Sequence, residues 1–249
     1  MTWTQIGWVI IGVAALSLVG FSLVFKGRGG YQVRRLPVVK ALLDQRVIAL
    51  ERGQGRQVVL GDRLWNRAYP GLGLQALAVL PGLASKEHLF DGGQAVSGGA
   101  GELVLFARQV VKGGYADGYS TGLEMPGNPL QVPGPTPLSF LAGQIMEINL
   151  GVPGSLALLG HFGAGSPLWA EAAFIKGSHV FAAAGSISAQ AALYLGTSDL
   201  VIGESVFMLP GLVEPSPTHQ AGWLTEDLIR VGLMVLILVA SVLKMVGVL

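Results

Sequence analysis

From Gln5 to Phe25 the chain runs 21 residues, QIGWVIIGVAALSLVGFSLVF, without a charged side chain. As a helix, at about 1.5 Å per residue, this run matches the roughly 30 Å hydrocarbon core of a bilayer. No other feature limits the fold so strongly, because hydrocarbon admits only backbones that satisfy their own hydrogen bonds. Trp3 and Trp8 suit an interfacial aromatic belt. A secretory signal would look different: no Lys or Arg precedes the run, it is too long, and no A-x-A site follows it. A second apolar run, Leu228–Leu249, closes the chain, with Arg230 and Lys244 placed to snorkel toward opposite interfaces.

The flanking charges orient these two expected transmembrane helices. Lys26, Arg28, Arg34 and Arg35 follow the first run, and no acid appears before Asp44. By the positive-inside rule this flank is cytoplasmic, so both termini face outward and the portion between lies inside. The same four residues are the expected contacts to anionic lipid headgroups. The chain then reads as an N-terminal transmembrane helix (1–25), a basic juxtamembrane segment (26–55), a cytoplasmic α/β domain (56–227) and a C-terminal transmembrane helix (228–249).

Charge is scarce as well as uneven. Charged residues make up 12% of the chain, about half the usual share of roughly 25%. From Lys26 to Arg67 there are ten basic and three acidic residues, and from Ala68 to Asp227 four basic and twelve acidic. A basic collar followed by an acidic body suits the bilayer surface, and it suits contact between identical subunits. It does not suit nucleic acid. The absence of cysteine excludes disulfides, thiolate metal sites and cysteine nucleophiles. No two of His88, His161, His179 and His219 stand at i, i+4, so no helical zinc site is written, and no cofactor is implied.

Between the runs, short apolar stretches alternate with helical ones. Arg56–Gly61, Gln94–Gly98, Leu130–Val132, Ser155–Gly160, His179–Ala184 and Asp199–Gly203 read as strands. Gly71–Ser85, Gly101–Gly113, Pro137–Leu150, Ser166–Gly177 and Ser188–Leu195 read as helices, with Ser166 as a cap, Pro167 at the first position and Gly177 as a stop. The stretch Met125–Pro137, with five prolines, reads as a rigid extended connection. Apolar strands alternating with helices imply a parallel sheet covered on both faces, a Rossmann-like doubly wound α/β fold.

Five stretches carry a family likeness: ALERGQGRQVVLG (Ala49–Gly61), GNPLQV…TPLSFLAG (Gly127–Gly143), LLGHFGAGSPLWAEAA (Leu158–Ala173), AAAGSISAQAALYLGTSDLVIGESVF (Ala182–Phe207) and LTEDLIR (Leu224–Arg230). In these the chain resembles a family of bacterial membrane proteins frequent in Chloroflexota, the domain of unknown function numbered 6754. The resemblance implies an anchored α/β protein of the bacterial inner membrane and brings no catalytic residues.

The candidate ligand-binding residues are glycines and serines in two strand-to-helix turns. Gly160, His161, Gly163, Gly165 and Ser166 belong to GHFGAGSP, and Gly185 and Ser186 to AGSIS. Backbone N–H groups at a helix start can cradle an anion, and two such turns side by side can mark a switch-point crevice. The first turn is neither G-x-G-x-x-G nor a P-loop. A hydrolase would need a set such as Ser166, His161 and Asp199, but no G-x-S-x-G elbow presents the serine. Glu204 is expected to be a buried or interfacial carboxylate, and His219 and Trp223 to anchor the chain at the interface. The expected role is therefore scaffolding by a homo-oligomer of anchored copies. A tethered nucleotide- or anion-binding module and an accessory subunit of a larger complex are the alternatives.

Overall fold

The computed structural model describes residues 3–27, 36–65, 71–84, 94–118, 130–197 and 199–245. The chain divides into two compact units, Arg35–Glu214 and the paired terminal segments Met1–Arg34 with Pro215–Leu249. The helices are α1 (Trp3–Gly27), α2 (Pro37–Glu51), α3 (Leu72–Ala84), α4 (Gly101–Gly118), α5 (Pro137–Gly151), α6 (Pro167–Ile175), α7 (Ile187–Tyr194), α8 (Ser205–Val213) and α9 (Pro217–Met245). The strands are β1 (Arg56–Leu60), β2 (Gln94–Ser97), β3 (Leu130–Gln131), β4 (Ser155–Gly160), β5 (His179–Ala184) and β6 (Asp199–Val201).

Among the described residues, the six strands form one parallel sheet in the order β3-β2-β1-β4-β5-β6. Alternation along each strand divides the core in two. Val58, Leu60, Ala157, Leu159, Phe181, Ala183 and Val201 point to one face, where they meet buried residues of α2, α3, α4 and α8. Val59, Leu156, Leu158, Val180, Ala182 and Ala184 point to the other, against α5, α6 and α7. Full burial of an aliphatic side chain contributes roughly 1.5–3 kcal/mol, so strands apolar on both faces are stable only between two helical layers. Helices change face where the chain leaves β3 and returns to β4 beside β1. That reversal of strand order is the place where open α/β sheets usually bind ligands.

The extents of several elements differ from those expected. The segment 26–55 is not merely juxtamembrane: α2 buries Val39 and Leu42 in the sheet core. Its interspersed basic residues mask that apolar spacing in the sequence. At the other end α8 was not anticipated, because Pro210 lies inside it, yet it buries Val206, Leu209 and Val213. The α/β unit therefore spans 35–214 rather than 56–227. Ser166 does not cap α6: its backbone is helical (φ −57°, ψ −28°) and its side chain makes no cap bond. Thr136 caps α5 instead, in a reciprocal box with Ser139. Of the proline-rich stretch, residues 125–129 lie outside the described residues; the rest forms β3, a short connection through Pro133 and Pro135, and the start of α5 at Pro137.

In the terminal unit, α1 and α9 pack together. Among the described residues no helix is long and apolar enough to cross a membrane. The final helix begins at Pro217, eleven residues before Leu228, so His219 and Trp223 lie inside it. Arg230 pairs with Glu226 at 3.2 Å and approaches Asp227 at 3.8 Å.

A polar file runs between α5 and the β1-β2-β3 side of the sheet. Ser97 Oγ donates to Gln144 Oε1 at 2.5 Å, and Gln57 Nε2 donates to Glu147 Oε2 at 3.3 Å. In the amide orientation that satisfies both ends, Gln131 Nε2 donates to Glu147 Oε2 at 2.9 Å. Burial pushes the Glu147 carboxyl above its ordinary value of 4.5. The folded protein thus holds this proton more tightly than the unfolded chain, and stability is lost as pH rises through the folded value. Glu147→Gln keeps an acceptor for both glutamines and removes the ionisation. It should raise stability at pH 7 by no more than about 1 kcal/mol, since the group is partly solvated, with no gain at pH 4. Denaturant melts at the two pH values check this.

Candidate functional site

The carboxyl ends of the strands carry glycine where the backbones crowd. Gly61 follows β1, and a Cβ there would lie 2.5 Å from the His161 backbone nitrogen. Gly160 ends β4 at φ +124°, a conformation open to glycine and strained for other residues. These two residues let the β1–β4 ladder continue past the strands. Gly61 N–H donates to Leu159 O and Asp62 N–H to His161 O, each at 3.0 Å. On either side, Gly99 N–H reaches Gly61 O at 3.3 Å and Gly185 N–H reaches Gly160 O at 3.0 Å. In a dinucleotide-binding sheet the chains diverge here and open a crevice. In this chain they stay paired.

Above the pairing, His161 Nδ1–H donates to Asp62 Oδ1 at 3.0 Å. Both side chains are partly exposed. The carboxylate fixes the imidazole tautomer, an arrangement used for general bases and for metal-binding histidines. Among the described residues, however, no third His, Cys, Asp or Glu joins them in a metal-holding group.

The Gly-rich turn is held down by its aromatic residue. Phe162 is buried and packs edge-to-face on Trp169, with centroids 5.7 Å apart; Trp169 also meets Phe140 at 5.1 Å and donates to Leu141 O at 3.0 Å. The N–H groups an anion would need are engaged locally. Ser166 N–H donates to Gly163 O, Leu168 N–H to Gly165 O and Trp169 N–H to Ser166 O, at 3.1–3.2 Å, and Pro167 has none. Ser166 Oγ is buried without a hydrogen-bond partner among the described residues. Gly165 fits against Leu141, while Gly163 faces open space. In the second turn Ser186 Oγ donates to Phe162 O at 2.9 Å and accepts from Ala189 N–H at 3.2 Å, as the cap of α7. Gly185 is packed under Leu72. The two turns are therefore brought together, but chiefly to brace one another.

The remaining candidates are dispersed. Asp199 does not serve His161: at the start of β6 it holds His179, at the start of β5, with a Nε2–Oδ2 distance of 3.0 Å at the opposite edge of the sheet. Glu204, expected to be buried or interfacial, is exposed at the start of α8. Glu171 is exposed on α6. Lys26 lies in the last turn of α1, and Arg28, Arg34 and Arg35 lie outside the described residues. The sequence reading missed a groove of about 970 Å³ at the amino edge of the sheet, lined by Arg52, Glu171, Phe174, His179, Leu195 and Thr197 among others. The chain matches no protein-family model, no curated protein and no solved structure.

Two predictions follow from this geometry. Gly61→Ala should cost about 2–3 kcal/mol, because the added methyl meets fixed backbone, whereas Gly163→Ala should change stability by under about 0.5 kcal/mol. Parallel denaturant titrations distinguish them. Burial holds the His179 imidazole below its ordinary value of 6.5, with the Asp199 carboxylate opposing that shift. As pH falls below 6.5 the unfolded chain takes up this proton first, so stability is lost down to the folded value. His179→Asn should flatten thermal stability over that window.

Proposed function

We propose that this protein is a bilayer-anchored scaffold whose α/β unit assembles with copies of itself at the cytoplasmic face of a cell membrane. The observation that carries the anchoring is the outward face of the terminal helices. On α1, Trp8, Ile11, Leu16, Val19 and Leu23 are exposed, and so on α9 is the continuous run Leu233–Leu238. Water would not leave so many large apolar side chains uncovered on paired helices, whereas hydrocarbon would cover them without cost. The described side chains alone do not make a continuous span, but the sequence of α1 carries no charge from Gln5 to Phe25. The basic residues after α1 support the inward placement of the α/β unit. Membership of the membrane-protein family resembled in the sequence belongs to the same proposal.

A scaffolding role is favoured over ligand chemistry because the switch point is closed by backbone pairing and the N–H groups at the start of α6 are already bonded. A nucleotide- or anion-binding reading retains one supporting observation, the partly exposed His161–Asp62 pair at that point. Two measurements separate these readings. After alkaline carbonate extraction, the protein should remain in the membrane pellet and leave it only with detergent; recovery in the supernatant would sink the anchor. In detergent, nucleotides or inorganic phosphate at millimolar concentration should leave the thermal midpoint within about 1 °C. A rise of several degrees that Gly163→Asp abolishes would transfer the function to the Gly-rich turn.

A further inference from the structure

The helices α5, α6 and α7 each carry the chain from the carboxyl edge of the sheet to its amino edge, so their last turns gather beside the starts of β4, β5 and β6. Those turns end in large apolar residues: Leu150 on α5, Phe174 and Ile175 on α6, and Tyr194 with Leu195 at the end of α7. Leu150, Phe174, Ile175 and Tyr194 are 68–74% exposed and Leu195 88%. None of the three helices has a basic residue in its last turn. Helix carboxyl ends ordinarily favour Lys or Arg, which interact with the dipole and keep the end hydrated. Apolar residues at the ends of α5 and α7 leave that preference unused, while on α6 Lys176 follows Ile175 as the C-cap. Phe174 and Leu195 also line the groove, which places the apolar cluster on a concave surface.

We infer that this amino-edge surface, the groove and the apolar helix ends around it, is where a second copy of the chain docks. The inference deepens the scaffolding proposal and rests on it. Two features select a copy over other occupants. The first is area. Five such side chains expose on the order of 600 Å², and the groove walls bring the surface near the roughly 800 Å² that each partner contributes to a standard interface. The second is charge. The groove lining carries both signs, Glu171 on α6 and the exposed Arg52 after α2. A two-fold contact sets each copy's Glu171 against basic residues of its mate, which is the self-complementarity an isologous interface needs. A strongly acidic or strongly basic partner would meet a rim of mixed sign. An apolar centre inside a polar rim is also the usual anatomy of a protein–protein contact.

The test uses the full chain in detergent. Mass by light scattering, corrected for the micelle, should give two or more protomers for the unaltered protein and one for Phe174→Glu or Leu195→Glu. Both positions are mostly exposed, so circular dichroism should show an unchanged fold. Phe106→Glu, at an exposed apolar position on α4, should leave the assembly intact. Because the chain has no cysteine, Leu195→Cys supplies a unique thiol. A short bismaleimide added to native membranes should link it into a covalent pair, and should leave Phe106→Cys unlinked. A monomeric unaltered protein would overturn both this inference and the scaffolding proposal. An oligomer that persists in Phe174→Glu and Leu195→Glu, or that cross-links through position 106 and not 195, would overturn the assignment of the surface alone.

Discussion

Strand β4 is buried on both faces along its whole length, and most of the α/β unit is arranged to keep it so. Leu156 and Leu158 turn toward one helical layer and Ala157 and Leu159 toward the other. Parallel neighbours satisfy its backbone on both sides, β1 and β5 being in register with it. A buried strand cannot tolerate an unpaired N–H or C=O at its end. The extra rungs after β1 and β4, and the bonds from Gly99 and Gly185, extend pairing past the formal strand ends. Glycine at 61 and 160 is the steric condition for that extension. The same contacts that secure the centre of the sheet thus occupy the space in which a related sheet would open a binding crevice.

Much of this architecture was legible from local pattern. The strands beginning at Arg56, Gln94, Leu130, Ser155, His179 and Asp199 are short apolar runs bounded by turn residues, and alternation along them assigns both core faces. What local pattern could not supply was extent. In α2, charged residues obscure the spacing of Val39 and Leu42. In α8, Pro210 breaks the expected helical signal although tertiary packing of Leu209 and Val213 outweighs it. The polar first turns of α9 read as a loop because they lack the apolar period that marks a buried helix face.

The site was less legible, for a different reason. His161 was visible as a member of the Gly-rich turn, but its partner lies 99 residues away in sequence. Only the return of β4 to the side of β1 brings them together, and no spacing rule encodes that return. The same holds for His179 and Asp199, which adjacent strands place at 3.0 Å. Serine roles were also interchangeable at the level of sequence. Ser166 and Ser186 each precede a short helix, yet only Ser186 caps one. The difference lies in the backbone: Ser186 is extended (φ −84°, ψ 137°) and Ser166 is helical (φ −57°, ψ −28°).

The two edges of the sheet are consequently built to different rules. At the carboxyl edge, glycine backbones approach one another and polar side chains pair. At the amino edge, three helices end in exposed leucine, isoleucine and aromatic residues, and of the three only α6 is followed by a cation, Lys176. Cohesion at the first edge depends on atoms of one chain alone. Exposure at the second is unfavourable by roughly 25 cal/mol for each Å² left to water, a cost that the proposed tethering beside other copies would lower by contact. Tethering raises the effective concentration of like surfaces without adding any new interaction, so a modest apolar patch suffices where a freely diffusing domain would need a larger one. Under the scaffolding proposal, the two apolar terminal helices would supply by anchoring the proximity that the amino-edge surface requires.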